Sequence, residues 1–155
     1  MRVAEGDGPD LAGRLDADDD GRFHRLPVRV YFEDTDFSGV VYHASYVRWC
    51  ERGRSDFLRL LGNDHNELLG GEGGREPSAF VVRRMSLEFL KPTKIDDVLE
   101  VQTRVSEIGA ATLTLNQSVF CRAKPVFSAE VLVVLVSLSG KPQRLSQHIR
   151  EALST

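Results

Sequence analysis

The chain has 155 residues, with 20 Lys and Arg against 23 Asp and Glu for a formal charge of −3, and it is 41% hydrophobic and 28% charged. That is the size and make-up of one folded domain rather than of a disordered or fibrous chain. The slightly acidic balance removes the generic electrostatic case for nucleic acid, no run approaches the ~18 apolar residues of a transmembrane segment, and two cysteines cannot build a disulfide framework.

Residues 1–25 are rich in Gly and Asp, including Asp16, Asp18, Asp19, Asp20 and Gly21, and poor in bulky apolar side chains. Such a stretch buries too little to offset its ordering entropy, so a disordered acidic tail is expected there. It has no apolar stretch of the kind a secretory signal needs. Residues 16–21 match the opening of a calcium loop, but the twelfth position, which should be a bidentate Glu, is Pro27, and the calcium reading fails there.

Alternation over residues 26–33 predicts a first strand. Residues 34–39 are turn chemistry: short carboxylates that bond nearby backbone, then Gly39. Residues 44–61 predict a helix whose apolar stripe carries Tyr46, Trp49, Cys50, Gly53, Phe57, Leu60 and Leu61. Gly53 on that stripe predicts close approach to a flat neighbour such as a sheet. Residues 64–77, with four glycines, predict a loop or broken helix. Strands are then expected over 78–90, 98–107, 111–120 and 127–138, the last with an almost continuously apolar run at 131–136 that predicts cover on both faces. A short helix is expected over 146–153.

One long helix with a single apolar stripe, preceded by one strand and followed by four, is an α+β pattern. A sheet of about five strands curled around the helix buries the stripe. The open sheet edges that remain predict pairing with a second copy.

The chemically able residues cluster in residues 31–43, between a strand end and a helix start, where backbone N–H groups are unsatisfied. A helix N-terminus can polarise a carbonyl and stabilise its oxyanion, and a carboxylate beside it can attack that carbonyl or activate water. That suits acyl transfer or hydrolysis. Taken singly, Asp34 and Asp36 read rather as turn and capping aspartates and His43 as a hydrogen-bonded surface residue, so composition and spacing alone stop at a possible hydrolase. The Asp-x-Asp pair also fits the nucleophile motif of haloacid-dehalogenase-type phosphatases, but strand following strand leaves no room for their doubly wound sheet.

The run VRVYFEDTDFSGVVYHASYVRWCERGRSDFL resembles the signature of hotdog-fold acyl-CoA thioesterases of the 4-hydroxybenzoyl-CoA thioesterase type, in particular the bacterial subgroup associated with the Tol-Pal envelope system. The resemblance continues through AFVVRRMSLEFLKPTKIDDVLEVQTRV, AEVLVVLVSL and GKPQRL, so residues 26–155 are expected to form one hotdog thioesterase domain. It implies a helix wrapped by an antiparallel sheet, a homodimer with sites at the subunit interface or a homotetramer, and hydrolysis of acyl-CoA in the cytoplasm without metal or cofactor. It makes Asp36 the catalytic nucleophile or general base and gives the oxyanion role to the His43 N–H. Asp34 and Gly39 then shape the loop, and Glu51 enters a structural ion pair. For the phosphates of coenzyme A the basic candidates are Arg83, Arg84 and Lys91; for the acyl pocket they are Tyr42 and Tyr46, with Trp49 and Phe80 behind them. The histidines and cysteines show no metal-ligand spacing, and Cys50 on the apolar stripe is a poor nucleophile. The competing readings are a hotdog dehydratase, for which no His and acid pair is evident, and a non-catalytic acyl-binding or scaffold protein of the envelope machinery.

Overall fold

The computed structural model describes residues 10–62 and 76–154. The glycine-rich loop expected over 64–77 therefore lies almost wholly outside the described residues, as do the first nine of the expected tail. Among the described residues six strands form one antiparallel sheet. They are β1 (Arg14–Asp18), β2 (Gly21–Arg29), β3 (Ser78–Phe89), β4 (Val98–Ile108), β5 (Thr112–Cys121) and β6 (Lys124–Ser137), in the order β1-β2-β4-β5-β6-β3. The long helix α1 (His43–Leu60) lies on one face, and the short α2 (Gln147–Ser154) adds Ile149 and Leu153 to the same core.

Alternation explains the packing. Leu99, Val101 and Thr103 of β4, Leu113, Leu115, Gln117 and Val119 of β5 and Phe127, Ala129, Val131, Val133 and Leu135 of β6 are all buried, the period-two face that meets the helix. Burying them is the main favourable term in the fold, at about 25 cal/mol per Å² of apolar surface. The run at 131–136 is fully covered on this inner face, and on the other face Val134 is buried as well. Leu132 and Val136, pointing the other way, stay partly open.

The helix stripe is Ser45, Tyr46, Trp49, Cys50, Gly53, Arg54, Phe57 and Leu58. Its last turn differs from expectation: Leu58 is inside and Leu60 is exposed, because 3.6 residues per turn carries the stripe from Arg54 to Leu58. Gly53 behaves as expected. A Cβ there would stand 3.1 Å from Thr103 Oγ1, 3.2 Å from Val101 Cγ1 and 3.3 Å from Gln117 Nε2, so only glycine lets helix and sheet approach this closely.

Residues 14–25 correct the expectation of disorder. They form the β1–β2 hairpin, with Arg14 opposite Arg25 and Asp18 opposite Gly21, and the sheet has six strands rather than five. Composition misled because this segment is held by polar partners. Arg25 pairs with Asp16 at 2.8 Å and Glu100 at 2.5 Å, Asp18 with Arg104, and His24 Nε2 donates to Asp56 of α1 at 2.7 Å. Phe23 is buried beneath the Arg104 guanidinium, 4.3 Å from its centroid.

Candidate active site

The segment between β2 and α1 is shaped by Asp34. A 3-10 turn over Phe32–Asp34 buries this carboxylate, which accepts the Tyr31 N–H at 2.8 Å and Arg48 at 3.2 Å. The Asp34 carbonyl accepts the Tyr42 N–H at 2.8 Å and the Ser45 hydroxyl at 3.1 Å. Asp34 thus ties the loop entrance to the helix start and has no oxygen aimed at solvent chemistry.

Two residues on, the chain turns. The Gly39 N–H donates to the Asp36 carbonyl at 3.0 Å, and Gly39 adopts φ +85°, a left-handed conformation that only glycine accepts cheaply. The Val40 carbonyl accepts the Asp36 N–H, and the Val41 N–H reaches the Thr93 carbonyl at 2.8 Å. The Asp36 carboxylate is partly open. It accepts both the Ser38 hydroxyl and, at 2.8 Å, the Ser38 N–H. Those two bonds, chiefly the hydroxyl, with the nearby His43 ring, hold it below the usual carboxylate range.

The helix begins at His43, and no side chain caps it. Among the described residues the His43 N–H has no hydrogen-bond partner, leaving the positive end of an 18-residue helix available. Asp36 and His43 line one cleft of about 340 Å³, closed by Val40, Tyr46, Phe89 and Leu90 with Lys91 at its margin. Tyr46 is buried, donates or accepts at 2.5 Å with the Thr93 hydroxyl, and stacks on Phe127 at 5.0 Å.

The structure thus brings together Asp36, His43, Tyr46 and Lys91. Tyr42 is exposed against the His43 ring, 4.4 Å between centroids, and does not line the cleft. Trp49 is core. Arg83 and Arg84 stand exposed on β3 and do not line this cleft. Glu51 accepts the Ser55 hydroxyl at 2.7 Å and enters no ion pair among the described residues, so the ion pair expected of it is replaced by an i, i+4 hydrogen bond. Burial pushes the Cys50 thiol up to about 12, which leaves it inert as a nucleophile. Phe89 and Leu90 escaped sequence reading. Their trace was an apolar pair at a strand end just before Lys91-Pro92. Among the described residues no three His, Cys, Asp or Glu side chains gather as a metal site.

The chain matches the model of the thioesterase-like superfamily over residues 30–153. It belongs to that family. Among curated members of the thioesterase-like superfamily it is 42% identical over 127 residues to the acyl-CoA thioester hydrolase YbgC of Escherichia coli, covering 81% of this chain and 91% of that one. It is 38% identical over 128 residues to the acyl-CoA thioesterase YbgC of Haemophilus influenzae, with 82% and 91% covered. Among solved structures, the probable thioesterase of Bartonella henselae superposes with a TM-score of 0.77 at 43% identity, over 80% of this chain and 99% of that one. The six-stranded sheet around one long helix is thus the hotdog architecture of this superfamily.

Proposed function

We propose that the chain hydrolyses the thioester of an acyl-CoA to a free acid and coenzyme A. The observation that carries this is one cleft holding an ionised carboxylate and an unpartnered helix N-terminus, Asp36 and His43. The names of the two curated relatives support the substrate class. In this reading the Asp36 carboxylate attacks the carbonyl carbon, or takes a proton from the water that does. Negative charge develops on the carbonyl oxygen and is met by the His43 N–H and the helix dipole. Collapse breaks the C–S bond and expels the coenzyme A thiolate; where Asp36 was the nucleophile this leaves an acyl–Asp36 anhydride, which water then hydrolyses to the free acid and the carboxylate. Asp34 and Gly39 hold the loop, Tyr46 bounds the acyl side, and Lys91 stands towards the coenzyme.

The finer placement belongs to the same proposal: the 4-hydroxybenzoyl-CoA thioesterase type, the Tol-Pal-associated subgroup, a cytoplasmic location and a homodimer or homotetramer. No described helix is long and apolar enough to cross a membrane.

The test is thiol release from a panel of acyl-CoAs. Asp36→Asn is expected to lose at least ~10²–10³ of turnover, as for removal of a single oxyanion donor, with melting unchanged. Asp34→Asn is expected to melt earlier by about 1–3 kcal/mol of stability, because a buried acceptor loses its charge. Activity above a few per cent in Asp36→Asn would sink the assignment. No release from any chain length by the wild type would favour the acyl-binding scaffold.

A further inference from the structure

The β1–β2 hairpin precedes residues 30–153, the span that matches the family, and its attachment to α1 runs through a buried pair. His24 of β2 has no exposed surface, and its Nε2–H donates to Asp56 of α1 at 2.7 Å. The segment leading into β1 lies directly on that pair. A Cβ at Gly13 would overlap Asp56 Oδ2 and stand 2.9 Å from His24 Nε2, so the missing side chain is what lets the backbone close over the two. The imidazole is thereby enclosed between β1, β4 and α1. Leu15 and Thr103 lie directly opposite it in the neighbouring strands, and the Phe57 ring is 5.7 Å away.

The surroundings of the ring leave no place for a second proton. Nδ1 has no partner among the described residues. The charged groups that act on the ring are Asp56 and Arg59, both of α1, and Arg59 is itself bound to Asp56. Arg54, the buried cation of the same helix, is engaged by Gln117 Oε1 at 2.9 Å, and Arg22, on the His24 face of β2, donates to the Ala152 carbonyl. Asp16, Arg25 and Arg104, one position away from the ring or its cross-strand neighbours, point to the opposite face, where Arg25 holds Asp16 and Arg104 holds Asp18. Protonation would therefore place a second cation beside Arg59 and an N–H without an acceptor in an enclosed site. Burial accordingly pushes the imidazole below its ordinary value, against the pull of Asp56.

We propose that the His24–Asp56 pair beneath Gly13 is an acid-released latch that holds the β1–β2 hairpin on α1. In the closed form the ring carries one proton, on Nε2. Lifting residues 13–25 hydrates it, and a second proton then binds Nδ1 while Asp56 stays with Arg59. The open form titrates at the ordinary value of about 6.5 and the closed form below it, so opening is favoured as pH falls through and below 6.5. Asp16 and Asp18 do not share in this. Their own bonds, chiefly to the Ala17 N–H and to Arg104, hold them below the usual carboxylate range, and they stay ionised throughout. Release uncovers Phe23 and the backbone of β4 at Gln102 and Thr103, opposite Arg25 and His24, an unpaired edge of the kind that accepts another strand. The latch is independent of the hydrolase reading, since Asp56 stands about 20 Å along α1 from His43 at 1.5 Å per residue.

Hydrogen exchange of the full chain, read by mass spectrometry as protection factors between about pH 7.5 and pH 5.5, tests this without any substrate. Hairpin amides are expected to be less protected than those of β5 and β6 at each pH, because they exchange through a local opening. They should lose several-fold of that protection across the range, up to the limit of about tenfold set by one proton and an open value of about 6.5. His24→Gln keeps an N–H donor for Asp56 and cannot take the proton, so its hairpin protection is expected to be equal at the two ends of the range. If that variant does not fold by circular dichroism, Gly13→Ala replaces it. With a methyl group forced against Asp56, its hairpin should already show at the upper pH the protection that the wild type keeps only at the lower, with β5 and β6 unchanged. Constant protection in the wild type, an equal loss in His24→Gln or full hairpin protection in Gly13→Ala would overturn the inference. So would hairpin and core amides that exchange at one common rate, since the hairpin would then open only with the whole fold.

Discussion

At the scale of single residues, the two aspartates of Asp34-x-Asp36 are separated by what they touch. Asp34 is buried and occupied by Tyr31 and Arg48, whereas Asp36 faces a cleft and accepts its hydrogen bonds, among the described residues, from Ser38. Ser38 therefore sets the pH behaviour. A carboxylate with a lowered pKa is deprotonated down to a pH below the ordinary value of about 3.9, so the acid limb of kcat/KM is expected below that pH. Ser38→Ala removes the hydroxyl bond, the largest contributor to the lowering, and is expected to move the acid limb upwards while activity near pH 7 persists. A pH profile of the variant that overlays the wild type would show that Ser38 does not tune the reacting group.

At the scale of elements, two contacts fix α1 on the sheet. The first is Gly53, whose neighbours cannot give way cheaply. Gln117 Nε2 is held by the Cys50 carbonyl and Thr103 Oγ1, each at 2.9 Å, and Gln117 Oε1 accepts from the buried Arg54 at 2.9 Å. Gly53→Val would drive a branched side chain into this network. It is expected to cost about 1–3 kcal/mol through overpacking, read as a lower midpoint in urea. The second is His24, fully buried, with Nε2–H on Asp56 and, among the described residues, no partner for Nδ1. Burial, opposed by Asp56, pushes the imidazole below its ordinary value. With the folded pKa depressed, the unfolded chain takes up the proton first. Stability is whole above the unfolded pKa of about 6.5 and is lost as pH falls through and below it. His24→Gln is expected to flatten that loss in melts between pH 7 and pH 5, and a slope equal to the wild type would place the sensitivity elsewhere.

At the scale of the whole molecule, among the described residues β3 ends the sheet, pairs with β6 on one side and exposes Val81 (44%) and Val82 (46%). Open edges with apolar side chains invite another strand. In the proposed dimer this edge is the meeting line, so Val82→Lys is expected to move the sedimentation coefficient towards that of a monomer. An unchanged oligomer would place the contact on another surface. The other edge is β1, whose Asp16 and Asp18 are charged and paired to Arg25 and Arg104, which blunts it against the same kind of pairing.

The long helix, the four strands after it, the inward face of β4 at Leu99, Val101 and Thr103 and the need for Gly53 were legible in the sequence. They rest on local periodicity and turn chemistry, which short windows of sequence contain. The hairpin of residues 14–25 was not legible, because Arg25–Glu100, Arg104–Asp18 and His24–Asp56 join positions 32 to 86 residues apart. The burial of Arg54 required Gln117, 63 residues away. The basic cleft beside that of Asp36 was hidden for the same reason. Lys91 stood out in the sequence only beside Arg83 and Arg84, and Lys94, Arg122 and Lys124 did not stand out at all, until the Val126 carbonyl and Val40 brought their segments to one place. Sequence by itself determined the long helix, the strands after it and which loop holds the carboxylates, since these are properties of neighbouring residues. Only the tertiary structure decided which of those carboxylates is open and which cations share a cleft, because both depend on contacts between segments far apart in the chain.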